Sequence, residues 1–397
     1  MSFIMNIRSV AKYESKILVR SWFFRIFTLL AVVFLGFFNF AMMLMEDNFG
    51  LWFAKSVSSN IPYLNLLLLN TGQAVVAVFL SSEFLKRDKK LDTSEVFYVR
   101  PLSNAEYVVG KIWGNLRVFL FLNLLVLAIV LAFNFMASGV TVDLPAYLVY
   151  FFLMSIPTLI FIIGLSIFLM LLLKNQALTF ILLLGYIGLT LFYIQDKFYY
   201  LFDYMVYNLP LFKSTIVGFS NLELILNHRA IYFFAGLGFI FFTIFLFKRL
   251  PNARRSHYPW LFLSFCMFLL MVTAGFRHVR SILWEGEMRA LYTSINNKYV
   301  YEPKMAIDYY DISVEQKSET IRSVVGMEGT ALAASEVFIF CLNPGLRVEE
   351  VKDGEKSLNF KREEQILAVD FGRKIEKGDT ISFSVSYEGR IKDDFCY

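Results

Sequence analysis

Covalent chemistry needs particular side chains at particular spacings, and this 397-residue sequence holds few of them. Its three histidines, His228, His257 and His278, stand far apart and form no His-Glu-x-x-His pair, so they make no zinc-hydrolase motif. Its three cysteines, Cys266, Cys341 and Cys396, show no metal-ligand spacing and no even-numbered disulfide framework. Cys266 sits inside an apolar run as a small hydrophobe, and a Cys341–Cys396 bridge is compatible only with an oxidising compartment. Gly110-Lys111 is the nearest approach to a phosphate-binding loop, but the upstream glycine and the hydroxyl residue are missing, so ATP cannot be held that way. No Gly-x-Ser-x-Gly elbow occurs either. The chain by itself is therefore expected to be no enzyme, with no catalytic residue, no metal and no cofactor.

What remains is charge. The stretch from Ser82 to Lys111 carries Lys86, Arg87, Lys89, Lys90, Arg100 and Lys111 between two long apolar runs. A net charge of +5 would hint at nucleic acid in a soluble protein. Here 57% of the residues are hydrophobic, 44 are Phe and the mean hydropathy is +0.56, which argues against an ordinary soluble chain. The basic residues cluster beside apolar runs, which is a topology signal and not a nucleic-acid signal.

About 20 apolar residues suffice to cross the hydrocarbon core as a helix. Such runs are predicted near 22–45, 61–80, 113–136, 146–173, 177–194, 230–247 and 260–276. The first is too long for a cleavable signal, and no small-x-small site precedes Glu46 and Asp47. Before it, Arg8, Lys12, Lys16 and Arg20 alternate with Ile4, Ile7, Val10, Ala11, Ile17 and Leu18, an amphipathic helix that Glu14 interrupts. It reads either as a membrane-surface helix or as a flank that fixes orientation. Lys and Arg alternate between the short connections: many in 1–20, in 82–111 and in 248–257, but only Lys55 in the first intervening loop and none near Asp143. That pattern places the N-terminus in the cytoplasm and the C-terminus outside, in a multi-pass protein of the cell (inner) membrane. Polar residues within the predicted spans include Asn39, Asn65, Asn115, Arg117, Asn123 and Asn134, which serve helix–helix hydrogen bonding or, for Arg117, snorkelling. Asn70 and Gln73 are the candidates for a transport path. No chain of acidic or His residues runs through the spans, which disfavours a proton-driven pump.

The segment Lys197–Arg229 is too broken to span and too apolar to float free. Short re-entrant or interfacial helices would satisfy it. Beyond Ser281 the long apolar runs stop. Strands are expected at 307–314, 337–342, 346–351, 356–360, 366–371 and 380–387, with a type I′ hairpin at Asp353-Gly354 and a turn at 376–379. The predicted organisation is a cytoplasmic amphipathic helix (1–21), a polytopic α-helical membrane domain (22–280), a juxtamembrane linker (281–305) and an all-β, sandwich-like extracytoplasmic domain (306–397) that ends without a finishing turn.

Two resemblances follow. Residues 1–250, with a basic first helix, a charged loop after the second span and a broken segment before the sixth, resemble the permeases of type-2 ATP-binding-cassette exporters. The loop carries the most specific part: Glu83, Asp92-Thr93-Ser94-Glu95, Arg100-Pro101-Leu102-Ser103, Tyr107 and Gly110-Lys111. The resemblance implies a short coupling helix that docks on a separate cytoplasmic ATPase subunit through Asp92, Thr93, Glu95, Arg100, Pro101, Ser103 and Lys111. Thr93 and Glu95 would cap that helix and Arg100-Pro101 would fix a turn. It also implies a homodimer or a heterodimer of permeases in the bilayer. The C-terminal region resembles the N-terminal β domain of gluzincin-type aminopeptidases, through Tyr310-Asp311-Ile-Ser-Val314, Leu342-Asn343-Pro344 and the Gly378-Asp379 to Tyr387-Glu388-Gly389 stretch. It lacks the zinc-binding helix of that family. The alternative function is the membrane-anchored front portion of an aminopeptidase-like or peptide-binding protein.

Overall fold

The computed structural model describes residues 3–44, 57–82, 102–136, 141–194, 196–209, 211, 213, 218–219, 221–247, 258–317 and 320–392. The chain divides into two compact units, Met1–Val279 and Arg280–Tyr397.

The first unit is helical: α1 (Phe3–Arg20), α2 (Trp22–Leu44), α3 (Asn60–Ser82), α4 (Asn104–Met136), α5 (Leu144–Leu173), α6 (Gln176–Ile194), α7 (Leu222–Leu246) and the start of α8 (Tyr258–Lys298). Seven of these, α2 to α8, are long and apolar enough to cross a membrane by length and composition. Three extend beyond the runs predicted from hydropathy: α4 starts at Asn104, α7 at Leu222, and α8 continues to Lys298. The predicted limits fell where charged or polar residues begin, but several of those residues find partners inside the fold.

Local chemistry sets the helix ends. The Asp143 side chain accepts from the Ala146 N–H at 3.2 Å and caps α5. Lys174 closes it in a left-handed conformation, φ 53°, and Asn175 caps α6 by accepting from the Ala177 and Leu178 N–H groups. Inside α5, residues Phe151–Ser155 widen into a π turn just before Pro157. Proline has no N–H, so the carbonyl four residues earlier, on Leu153, loses its helical donor. α5 packs between α3 and α7, with Phe161 ringed by Tyr186, Tyr204, Tyr232 and Phe239. By contrast α2 leaves Leu29, Leu30, Val33 and Phe37 exposed.

The second unit holds two antiparallel sheets. One has the order β1-β2-β8-β4-β5, the other β3-β7-β6. The strands are β1 (Met305–Lys317), β2 (Thr320–Ala331), β3 (Ser335–Cys341), β4 (Leu346–Asp353), β5 (Lys356–Ser357), β6 (Asn359–Glu363), β7 (Ile366–Ile375) and β8 (Thr380–Gly389). Phe338 and Phe371 from one sheet meet Phe383 and Val385 from the other in a shared core. The end of α8 lies against the smaller sheet: Ile295 packs with Ile339 and Ile366, and the Gln365 amide donates to the Tyr292 carbonyl at 2.7 Å. Residues 281–298 of the stretch read as a linker are thus helical. β2 went unforeseen because Gly326 and Gly329 dilute its pattern, although Ser323, Val325, Gly329 and Ala331 are buried in strand alternation. The single strand expected at 356–360 is two, because Leu358 turns into the core and donates its N–H to Val351. The hairpin there pairs Asp353 with Lys356, and of its two central residues only Gly354 has positive φ, 62°. That is the type II′ pattern, not I′, which needs positive φ at both. At 376–379 the expected turn forms: the Glu376 N–H donates to Asp379 and Gly378 adopts φ 93°.

Candidate functional site

The loop expected to carry instruction falls outside the described residues from 83 to 101, so Asp92, Thr93, Glu95, Arg100 and Pro101 lie outside them. The structure does describe what the loop runs into. Ser103 and Glu106 form a capping box at the start of α4: the Ser103 hydroxyl accepts from the Glu106 N–H at 3.1 Å, and Glu106 accepts from the Ser103 N–H at 2.6 Å. Glu106 also accepts from the Asn6 amide at 2.8 Å, which ties the cap to α1.

From there α1 lies along the first turns of α4. Ser15 donates to the Gly114 carbonyl at 2.6 Å, and Arg117 donates to the Ser15 hydroxyl and to the Ala11 carbonyl. Glu14 and Lys111 pair at 3.5 Å with both side chains only 4% exposed. Lys111 is thus placed in the α1–α4 contact rather than on a surface. Glu14, which interrupts the apolar stripe of α1, is explained by the same pair. The close approach depends on Gly110 and Gly114. A Cβ on Gly110 would meet the Val10 side chain at 2.7 Å, and one on Gly114 would meet the Glu14 side chain at 2.7 Å and the Ala11 carbonyl at 2.9 Å. Small residues four apart let helix backbones meet in this way. The Gly-x-x-x-Gly spacing of 110–114 was the available sequence signal for this contact. The other side of the same end is tied to α7: Asn104 donates to the Phe247 carbonyl at 2.7 Å, and Tyr107 stacks on Phe247 with centroids 5.4 Å apart.

Farther along, Asn70 and Gln73 are both fully buried and belong to a network joining α3, α4 and α5. Gln73 donates to Asn70 at 2.5 Å, Asn123 donates to Gln73 at 2.8 Å, and Ser155 donates to Asn123 at 2.7 Å. Asn39 and Asn65 exchange amide hydrogen bonds between α2 and α3 at 2.7 and 3.1 Å. Each such bond between buried helices contributes about 0.6–2 kcal/mol.

A third polar set lies at the segment 196–213. Among its described residues Phe198–Tyr200 form a short 3-10 turn, with positive φ at all three residues, while 210, 212, 214–217 and 220 of the stretch expected to hold short helices lie outside the described residues. Left-handed aromatic residues are unfavourable by about 1–2 kcal/mol each, and the surrounding helices hold them. His228 contacts the Tyr200 carbonyl at 3.0 Å, His278 contacts the Tyr199 carbonyl at 2.8 Å, and the Tyr232 hydroxyl donates to Leu201. Asp203 accepts from the N–H groups of Tyr207, Asn208 and Leu209. Burial pushes its carboxyl above the ordinary range, against the pull of those amides and of Arg229. Arg229, 2% exposed, donates to the Leu153 carbonyl left open by Pro157, to Met154, to Thr158 and to the Tyr204 carbonyl. It joins the bulge of α5 to the irregular segment. Lys213 pairs with Asp143 at 2.5 Å and its carbonyl accepts from Ser59.

One expectation needs correction here. His228 and His278 are distant in sequence but their rings lie 5.1 Å apart. Both are buried together with Arg229, because α7 and α8 extend past the limits assigned from hydropathy. They do not build a metal centre: among the described residues no group of three or more His, Cys, Asp or Glu side chains could hold an ion. His257 and Cys396 lie outside the described residues, and Cys341 is exposed. The sequence matches no known family model and no curated protein.

Proposed function

We propose that this chain is a multi-pass permease subunit of an ATP-binding-cassette exporter, using ATP hydrolysed by a separate cytoplasmic subunit. The observation that carries the reading is the locked contact of α1 with the first turns of α4. The loop 83–101 feeds directly into the Ser103–Glu106 cap, which is bonded to Asn6 on α1 and followed at once by the Glu14–Lys111 pair. A push on that loop would reach α1, α4 and, through Asn104, α7 together. Midway along α3, α4 and α5 the linking polar groups Asn70, Gln73, Asn123 and Ser155 are amides and a hydroxyl that bond one another. They supply no ionisable relay of their own, in keeping with energy delivered from outside the chain.

In this reading α2 to α8 cross the inner membrane, the N-terminus is cytoplasmic and the β unit lies outside, following the alternation of basic loops. The exposed apolar faces of α2 and α6 then meet lipid or a second permease, as a homodimer or with a related chain. Asp92, Thr93, Glu95, Arg100 and Pro101 provide the contact with the ATPase, and Ser103 and Lys111 carry its movement onward. Co-purification of the tagged chain from native membranes tests this. A Walker-motif ATPase is expected to accompany the wild type and to be lost from a Glu95→Lys, Arg100→Glu chain. A preparation that never contains such an ATPase would sink the exporter reading and leave the membrane-anchored ectodomain in its place.

A further inference from the structure

We propose that a cavity between α1, α3 and α4 binds the phosphodiester headgroup of an anionic phospholipid. The cavity measures about 270 Å³, several times the roughly 30 Å³ share of one water. Its polar lining is Glu14, Arg20, Ser21 and Asn115, and its apolar lining is Ile17, Leu18 and Leu80. Asn115 is 2% exposed, and its Nδ2 has no hydrogen-bond partner among the described residues. A buried amide donor without an acceptor is unfavourable, so a ligand that brings an acceptor is favoured there. Arg20 contributes a guanidinium, the side chain that pairs with phosphate in a fork, and Ser21 adds a hydroxyl. Among the described residues Glu14 is the anion of the wall, and its carboxylate lies 3.5 Å from the Lys111 ammonium, so it meets the cavity as half of an ion pair.

The surroundings point to a lipid as the source of the phosphate. Arg8, Lys12, Lys16 and Arg20 recur every fourth residue along α1 and are all exposed, which makes a cationic ladder leading to the cavity. Beside its last member, Val19 and Trp22 are exposed apolar side chains, as at an interfacial helix. Ile17, Leu18 and Leu80 offer contact to the methylenes that follow a lipid glycerol. Inorganic phosphate would use Arg20 and Asn115 but not these apolar groups. The inference rests on the membrane placement of α1, but not on the partner ATPase.

The test uses the full chain purified in an uncharged detergent, with dioctanoyl phosphatidylglycerol, dioctanoyl phosphatidylcholine and inorganic phosphate as probes, and binding read by native mass spectrometry. The phosphatidylglycerol is expected to bind, and to bind about tenfold more weakly to Arg20→Gln and to Asn115→Leu, the effect of losing one charge-assisted hydrogen bond. Arg8→Gln, at the far end of the ladder, is expected to bind as wild type does. If Asn115→Leu fails to fold, Asn115→Asp keeps the shape and repels the phosphodiester, and the exposed Arg20→Gln remains informative. Equal binding of the two lipids, or wild-type affinity in Arg20→Gln, would overturn the proposal. Inorganic phosphate binding as tightly as the lipid would overturn its lipid assignment. Absence of a co-purifying ATPase would leave all of these outcomes unaffected.

Discussion

Arg229 answers a deficit that Pro157 creates. The Leu153 carbonyl has no helical donor, and the guanidinium supplies one at 2.7 Å while also reaching Tyr204 in the irregular segment. A flexible ammonium cannot hold these acceptors at once, because it lacks the planar fork. Arg229→Met is expected to destabilise the protein by about 3 kcal/mol or more, since several buried acceptors lose their donor. Arg229→Lys is expected to recover only part of that. Thermal unfolding in detergent checks both, and a methionine variant as stable as wild type would contradict the role. Nothing in the local sequence marks Arg229, which reads as a charged residue at a helix start. By contrast Gly110 and Gly114 announce a close helix contact by their spacing, although not which helix makes it.

At the scale of elements, hydropathy located the apolar helices well and their ends poorly. The reason is physical: a helix continues for as long as its charged residues are satisfied, and Lys111, Arg117 and Arg229 are satisfied by Glu14, by Ser15 and by the α5 carbonyls. A strand with clean alternation, such as β8, was legible, whereas the glycines of β2 concealed it. The docking of α8 on the smaller sheet was not legible at all, since it joins Ile295 to Ile339 and Ile366 across β1 and β2 in sequence. That contact has a polar latch. Glu363 accepts from the Tyr299 hydroxyl at 2.5 Å and from Lys298 at 2.9 Å. The Tyr299 hydrogen bond, and then Lys298, hold its carboxyl below the usual range. A carboxylate so depressed contributes stability above its unfolded value of about 4.3, and loses that contribution as pH falls through the folded value. Hydrogen exchange in β6 and β7 of the full chain, corrected for intrinsic rates, is expected to quicken on acidification through that window. Glu363→Gln is expected to remove the pH step, and an unchanged profile in that variant would contradict the latch.

For the whole molecule, two compact units share one chain, and only the helical one bears on the proposed coupling. Its α1 is neither a loose flank nor a span but a strut bonded to α4 at Asn6, Ala11, Glu14 and Ser15. The residues expected to meet the ATPase lie just before the α4 end that this strut braces, so the central claim can be tested at one of them. The most direct measurement is photo-crosslinking in native membranes, with benzoyl-phenylalanine in place of Glu95 and, as the control, in place of Asp143, which the proposed topology puts on the outer side. The account expects a covalent adduct from position 95 to a polypeptide carrying a Walker motif, and none from position 143. No adduct at 95, or the same adduct from both positions, would contradict it.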